Sequence, residues 1–148
     1  FEFTFVGPIP ENKQLIDDRI TYLGEVRDTE ELKTILLQQD CLVCPSHSEG
    51  MPTVILEAMA CGLAIIGTNV GAVERQIKDN GLLLEKPDVN ALEEAITSIA
   101  ALEDEFLTTL KEKSLQLIEI DFLWERVVSS KIKNFENCLE NSLANEEL

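Results

Sequence analysis

Short apolar runs alternate along the chain with longer segments whose apolar positions recur at helical spacing. Glu2–Val6, Ile20–Glu25, Cys41–Pro45, Leu63–Gly67 and Leu82–Glu85 read as strands. Several are apolar on both faces, as in Leu63-Ala-Ile-Ile66, which suits parallel strands covered on both sides. Between them the pattern predicts helices at Glu11–Asp18, Thr29–Gln39, Thr53–Cys61, Ala72–Lys78 and Asn90–Ala101. Asp28 or Thr29, and Asp88 or Asn90, are suited to cap the helices they precede. Two more helical stretches, Asp104–Ile118 and Phe122–Leu139, follow with no strand between them. The alternation predicts an α/β, Rossmann-like open parallel sheet with helices on both faces and added C-terminal helices. Residues 1–120 would form the body and residues 121–148 a C-terminal helix with an acidic tail. Such sheets bind ligands at the carboxyl ends of their strands, so the loops after Val6, Glu25, Pro45 and Gly67 are the ones to search.

Composition narrows this picture. With 148 residues and 45% hydrophobic positions, the chain suits one folded domain. Its 28 acidic and 12 basic residues give a formal charge of −16, which argues against nucleic-acid partners and against docking on anionic membrane. No apolar run reaches the length of a membrane span, and the longest, Val54–Gly67, carries Glu57. The start, Phe-Glu-Phe-Thr-Phe, has no initiator Met and no basic leader. The expectation is a chain beginning partway through a longer cytoplasmic protein, one that could sit peripherally at the inner face of a membrane. Cys41 and Cys44 form a C-x-x-C, but residues three apart on a strand point to opposite faces and cannot share a metal. Buried, reduced thiols are expected at Cys41, Cys44, Cys61 and Cys138.

The segment Pro45-Ser-His-Ser-Glu-Gly-Met-Pro-Thr-Val-Ile-Leu-Glu-Ala-Met-Ala-Cys-Gly62 carries the chemistry. A strand ends at Pro45, a polar loop runs through Gly50, Pro52 suits the first helical position, and Gly62 stops the helix. From Val54 to Cys61 the helix is apolar all round except at Glu57, so Glu57 is expected to be buried and to need a partner. Glu49 lies eight positions earlier, in the loop. One carboxylate in the loop and one in the second turn could grip different parts of a polyhydroxyl ligand. The helix start between them, with Gly50 allowing close backbone approach, suits a phosphate. His47, two positions before Glu49, reads as a loop residue without an essential role, and Arg75 and Lys78 as solvated surface bases.

Glu49-x7-Glu57, within Glu49-Gly-Met-Pro and Glu57-Ala-Met-Ala-x-Gly62 and followed by Thr68-Asn-Val-Gly71, resembles the family 4 glycosyltransferases of GT-B fold. Phe5-Val-Gly-Pro8, Tyr22-Leu-Gly-Glu-Val26 and Gly81-Leu-Leu-Leu84 agree with it in order and spacing. The resemblance spans about residues 2 to 100. It implies the C-terminal, donor-nucleotide half of a retaining enzyme that needs no metal or other cofactor. The substrate would be a nucleotide diphosphate sugar, a UDP-sugar foremost. The acceptor, a glycan, lipid-linked or small molecule, would be held by an absent N-terminal domain. Glu49 would orient the transferred sugar as the catalytic residue. Gly50 and the backbone N–H groups of Met51, Thr53 and Val54 would face sugar and diphosphate. Glu57 would hold the ribose, and Val26 and Arg27 would flank the base. Pro52 stands where many relatives carry Gly, and the relatives' first strand and helix, with the two bases that neutralise the diphosphate, are not in this sequence. A gap is therefore expected between the strands Glu2–Val6 and Cys41–Pro45, with open edges through which copies could dimerise. The alternatives are a folded fragment acting as a non-catalytic binding module and a sugar-nucleotide epimerase-like domain.

Overall fold

The computed structural model describes residues 1–146, with side chains as far as Asn137. Strands β1 (Phe3–Val6), β2 (Ile20–Gly24), β3 (Cys41–Cys44), β4 (Ala64–Thr68) and β5 (Gly81–Leu84) lie within two residues of their expected positions. Helices α1 (Thr29–Leu36), α2 (Thr53–Ala60), α3 (Val73–Gln76), α4 (Val89–Ala100), α5 (Asp104–Leu117) and α6 (Trp124–Glu146) follow the sequence reading, with α1 and α3 shorter than expected and α6 running past Leu139. Asp28 caps α1 by accepting from the Glu31 N–H at 2.8 Å, and Asp88 caps α4 by accepting from the Ala91 N–H at 3.0 Å.

One helix does not form. Glu11–Asp18 makes only a single 3₁₀ turn, Glu11–Lys13, and Leu15 and Ile16 beyond it are exposed. The segment offers no repeated apolar stripe, and a helix this short is marginal without one. Asp17 instead turns back and accepts from the Arg19 backbone N–H and guanidinium.

All strand pairings are parallel, but they fall into two sheets. β1 pairs with β2, and β3 pairs with β4, which pairs with β5. The gap lies where the sequence placed it, between β1 and β3. The core sits around the three-stranded sheet. Every residue of β4 is buried, and its alternation divides the interior. Ile65 joins Leu36, Ile55, Met59 and Leu63 on the face covered by α1 and α2, while Ile66 meets Ala95 and Ile99 of α4 on the other. Burying one such Ile or Leu contributes roughly 1.5–3 kcal/mol. Neither cluster contains a side chain from β1 or β2. That pair is held instead by aromatic contacts, with Phe5 stacked on Tyr22 at 5.1 Å between ring centres and Phe1 edge-on to Phe3 at 5.3 Å.

A chain of buried polar groups ties the elements together. The Gln76 amide donates to the Pro52 carbonyl at 3.0 Å. The Asn80 amide donates to the Gln76 carbonyl and to Ser114 Oγ, which donates to the Leu63 carbonyl at 2.6 Å. It spans α2, α3, α5 and the start of β4, where an unpartnered group would cost about 1–3 kcal/mol. The cysteines follow the strand argument: Cys41 packs with one core cluster and Cys44 with the other. Both, with Cys61, are free thiols, half-buried rather than fully buried because β3 is an open edge and Cys61 caps α2. Desolvation pushes the Cys41 thiol up to about 12. The Cys138 side chain lies outside the described residues.

Candidate functional site

The loop from Pro45 to Pro52 leaves the carboxyl end of β3 and enters α2, and its geometry is fixed from three sides. The Thr68 hydroxyl, at the end of β4, donates to the Ser46 carbonyl. Ser46 Oγ donates to Glu49 Oε1 at 2.7 Å, which orients the carboxylate. The Ala72 N–H donates to the Gly50 carbonyl at 2.7 Å, and Gln76 holds the Pro52 carbonyl. Gly71 makes this packing possible: its φ is +58°, and a Cβ there would lie 2.1 Å from the Glu49 carbonyl oxygen and 2.5 Å from that of Gly50. The loop after β4 therefore clamps the loop after β3 backbone against backbone.

Among the sequence-nominated residues, Glu49 is half-buried, while Gly50, Met51 and Thr53 are exposed at the start of α2 and Val54 is half-buried. Pro52 is the residue before the helix rather than its first member, because its ψ of 118° is extended. No side chain caps α2, in contrast to α1 and α4, and no acid occupies its first turn, in contrast to α1. Its leading N–H groups and positive dipole end face outward beside Glu49, an arrangement that takes anionic oxygen atoms.

Glu57 departs from expectation. It is exposed, not buried. Ile55, Ala58 and Met59 turn inward, while Thr53, Glu57 and Ala60 share the opposite face at helical spacing and look into solvent. The helix has an apolar composition but only one face to bury, so the carboxylate needs no internal partner. Val26 and Arg27 lie just past the carboxyl end of β2, on the separate two-stranded sheet, and Arg27 pairs with Glu25 at 3.0 Å. His47, Arg75 and Lys78 are exposed, and Lys78 pairs with Asp121 at 2.8 Å. Among the described residues no three His, Cys, Asp or Glu side chains gather as a metal site would require.

The nomination missed the residues that hold the loop: Ser46, Thr68, Gly71 and Gln76. For Ser46 a signal existed. Ser46-His-Ser-Glu49 has the S-x-x-E spacing that brings the two residues to opposite ends of one turn, and here the hydroxyl meets the carboxylate. Nothing in the pattern marks Gln76, a polar residue in a polar turn, as buried.

An open parallel α/β arrangement, with polar loops at strand carboxyl ends and an outward, uncapped helix start, belongs to the Rossmann-like ligand-binding class. Residues 1–101 match the profile described as "Glycosyl transferases group 1", and the chain belongs to that family. It is 35% identical over 117 residues to the N-acetyl-alpha-D-glucosaminyl L-malate synthase of Bacillus anthracis, an alignment covering 77% of this chain and 29% of that enzyme. Its fold is similar to the C-terminal domain of a group 1 family glycosyl transferase from Francisella tularensis, with TM-score 0.65, 26% identity, 73% of this chain and 56% of that one. It is also similar to the pneumococcal O-GlcNAc transferase solved with UDP and GlcNAc, with TM-score 0.62, 26% identity, 82% of this chain and 25% of that one. The chain spans about a quarter to a third of the length of the curated relatives it matches. The expected α/β architecture, that of a GT-B C-terminal domain, thus holds for these residues.

Proposed function

We propose that this chain is the donor-nucleotide half of a retaining glycosyltransferase that takes a UDP-sugar. The observation that carries it is Glu49, aimed by Ser46, beside the outward and uncapped N-terminus of α2, with Glu57 one helix face onward. The pneumococcal structure holding UDP and GlcNAc favours the uridine nucleotide. Glu49 hydrogen-bonds hydroxyls of the sugar and fixes the anomeric carbon. The N–H groups at Met51, Thr53 and Val54, with Gly50 beside them, receive diphosphate oxygens. Glu57, exposed on the face of α2 that it shares with Thr53, takes the ribose hydroxyls, and the base lies toward Val26 and Arg27. As the bond from the anomeric carbon to the diphosphate breaks, negative charge grows on the β-phosphate, and preorganised N–H donors stabilise it. The chemistry needs no metal in this reading. The acceptor, a glycan, lipid-linked or small molecule, is held by polypeptide outside these residues, and the chain alone binds donor without turning it over.

Calorimetric titration with UDP, GDP and ADP tests the donor site, with UDP expected to bind most tightly. No heat from any of them at about millimolar concentration, where affinities of about −4 kcal/mol become visible, overturns it. In a full-length enzyme carrying this domain, Glu57→Ala is expected to raise the donor KM, and Glu49→Ala to lower kcat by about 10²-fold or more. Wild-type kinetics in both variants would sink the role assignment.

A further inference from the structure

Two carbonyl groups of the Glu49 loop are gripped from the turn that follows β4. The Ala72 N–H donates to the Gly50 carbonyl at 2.7 Å, and the Gln76 side-chain amide donates to the Pro52 carbonyl at 3.0 Å. Each carbonyl shares a trans peptide plane with the next residue's N–H, which points the opposite way. Fixing the Gly50 oxygen therefore aims the Met51 N–H, and fixing the Pro52 oxygen aims the Thr53 N–H. Both point away from α3, at the exposed start of α2. Neither N–H meets an acceptor among the described residues. Asp28 and Asp88 hold the starts of α1 and α4 by occupying an N–H, whereas α2 is held from its carbonyl side, which leaves its leading donors free.

Gln76 is fully buried, and its Oε1 has no partner among the described residues. An apolar side chain of the same size would spare that desolvation cost, so what the amide contributes is its donor. We propose that Gln76 is a positioning residue of the donor site: through the Pro52 carbonyl it aims the Thr53 N–H at a diphosphate oxygen, as the Ala72 N–H aims that of Met51 through Gly50. The assignment rests on the donor reading above and says what holds its N–H groups in line. A carbonyl that accepts a hydrogen bond also polarises its own peptide, which strengthens the N–H on the far side as a donor.

The probe is inorganic pyrophosphate, which carries the diphosphate and no uridine, titrated into the chain while its backbone amide signals are followed by nuclear magnetic resonance. The Met51 and Thr53 signals are both expected to shift in the wild type. Gln76→Met, close in size but without the donor, is expected to weaken binding about fivefold, the worth of one hydrogen bond. It is also expected to remove most of the Thr53 shift while the Met51 shift, which Ala72 secures, remains. Gln76→Leu gives the same reading should the Met variant not fold. Three results overturn the proposal: no Thr53 shift in the wild type, wild-type affinity in the variants, or equal loss at Met51 and Thr53, which would mean that Gln76 only stiffens the loop. Failure of the donor reading looks different: both amides shift with pyrophosphate, and UDP binds no more tightly than pyrophosphate does.

Discussion

Glu49 is useful only as far as its loop is rigid, and the rigidity traces to single atoms. Gly71 has no Cβ because two carbonyl oxygens occupy the space. Gly71→Ala is expected to push the Glu49 loop outward, to cost about 2 kcal/mol or more from the left-handed φ and the clash, and to weaken UDP binding. Denaturant unfolding beside calorimetry reads both. The Cys41 thiol supplies a second test at this scale. Burial holds its folded pKa near 12, above its ordinary value near 9. The stability it supports is therefore whole below about pH 9 and is lost as pH rises toward 12, at about 1.4 kcal/mol per pH unit. The fall in unfolding free energy between pH 9 and pH 10.5, in wild type minus Cys41→Ala, measures it, and equal falls would contradict it. The sequence marked both glutamates, because carboxylates in an otherwise apolar segment stand out. It misjudged the burial of Glu57, because composition says how apolar a helix is and not how many of its faces a fold covers.

At the scale of elements, the strands were legible almost to the residue, since two-sided apolar runs bounded by polar turns have few other readings. The caps Asp28 and Asp88 were legible for the same local reason. The segment Glu11–Asp18 was not, because helical composition without a repeating apolar stripe leaves nothing to hold it against the core. Contacts between distant elements were invisible as well, and the polar chain through Gln76, Asn80 and Ser114 is the main case. Ser114→Ala removes the donor to the Leu63 carbonyl and the acceptor of the Asn80 amide. It is expected to lower stability by about 1–3 kcal/mol, far more than Ser98→Ala on the exposed face of α4, where the hydroxyl only returns to the Glu94 carbonyl. Similar thermal midpoints for the two variants would count against the network.

At the scale of the molecule, the charge of −16 acquires a narrower meaning than it had in the sequence. A strongly acidic chain is a poor host for diphosphate, yet the leading N–H groups and dipole of α2 give the proposed donor site some positive character of its own. The division into two sheets also sets an order of stabilities. β1 and β2 contribute nothing to either core cluster, so native-state amide exchange is expected to be faster there than in β4 by about 10² or more, and uniform protection across both sheets would contradict the split. The family profile's match ends at residue 101, but Ser114 lies beyond it and Leu107, Leu110 and Leu117 pack against the two clusters. The profiled stretch is thus smaller than the packed unit. A graft or truncation cut at residue 101 would carry every residue of the proposed donor site and still remove packing from both clusters around the central strand. α5 must travel with the site if the site is to be moved.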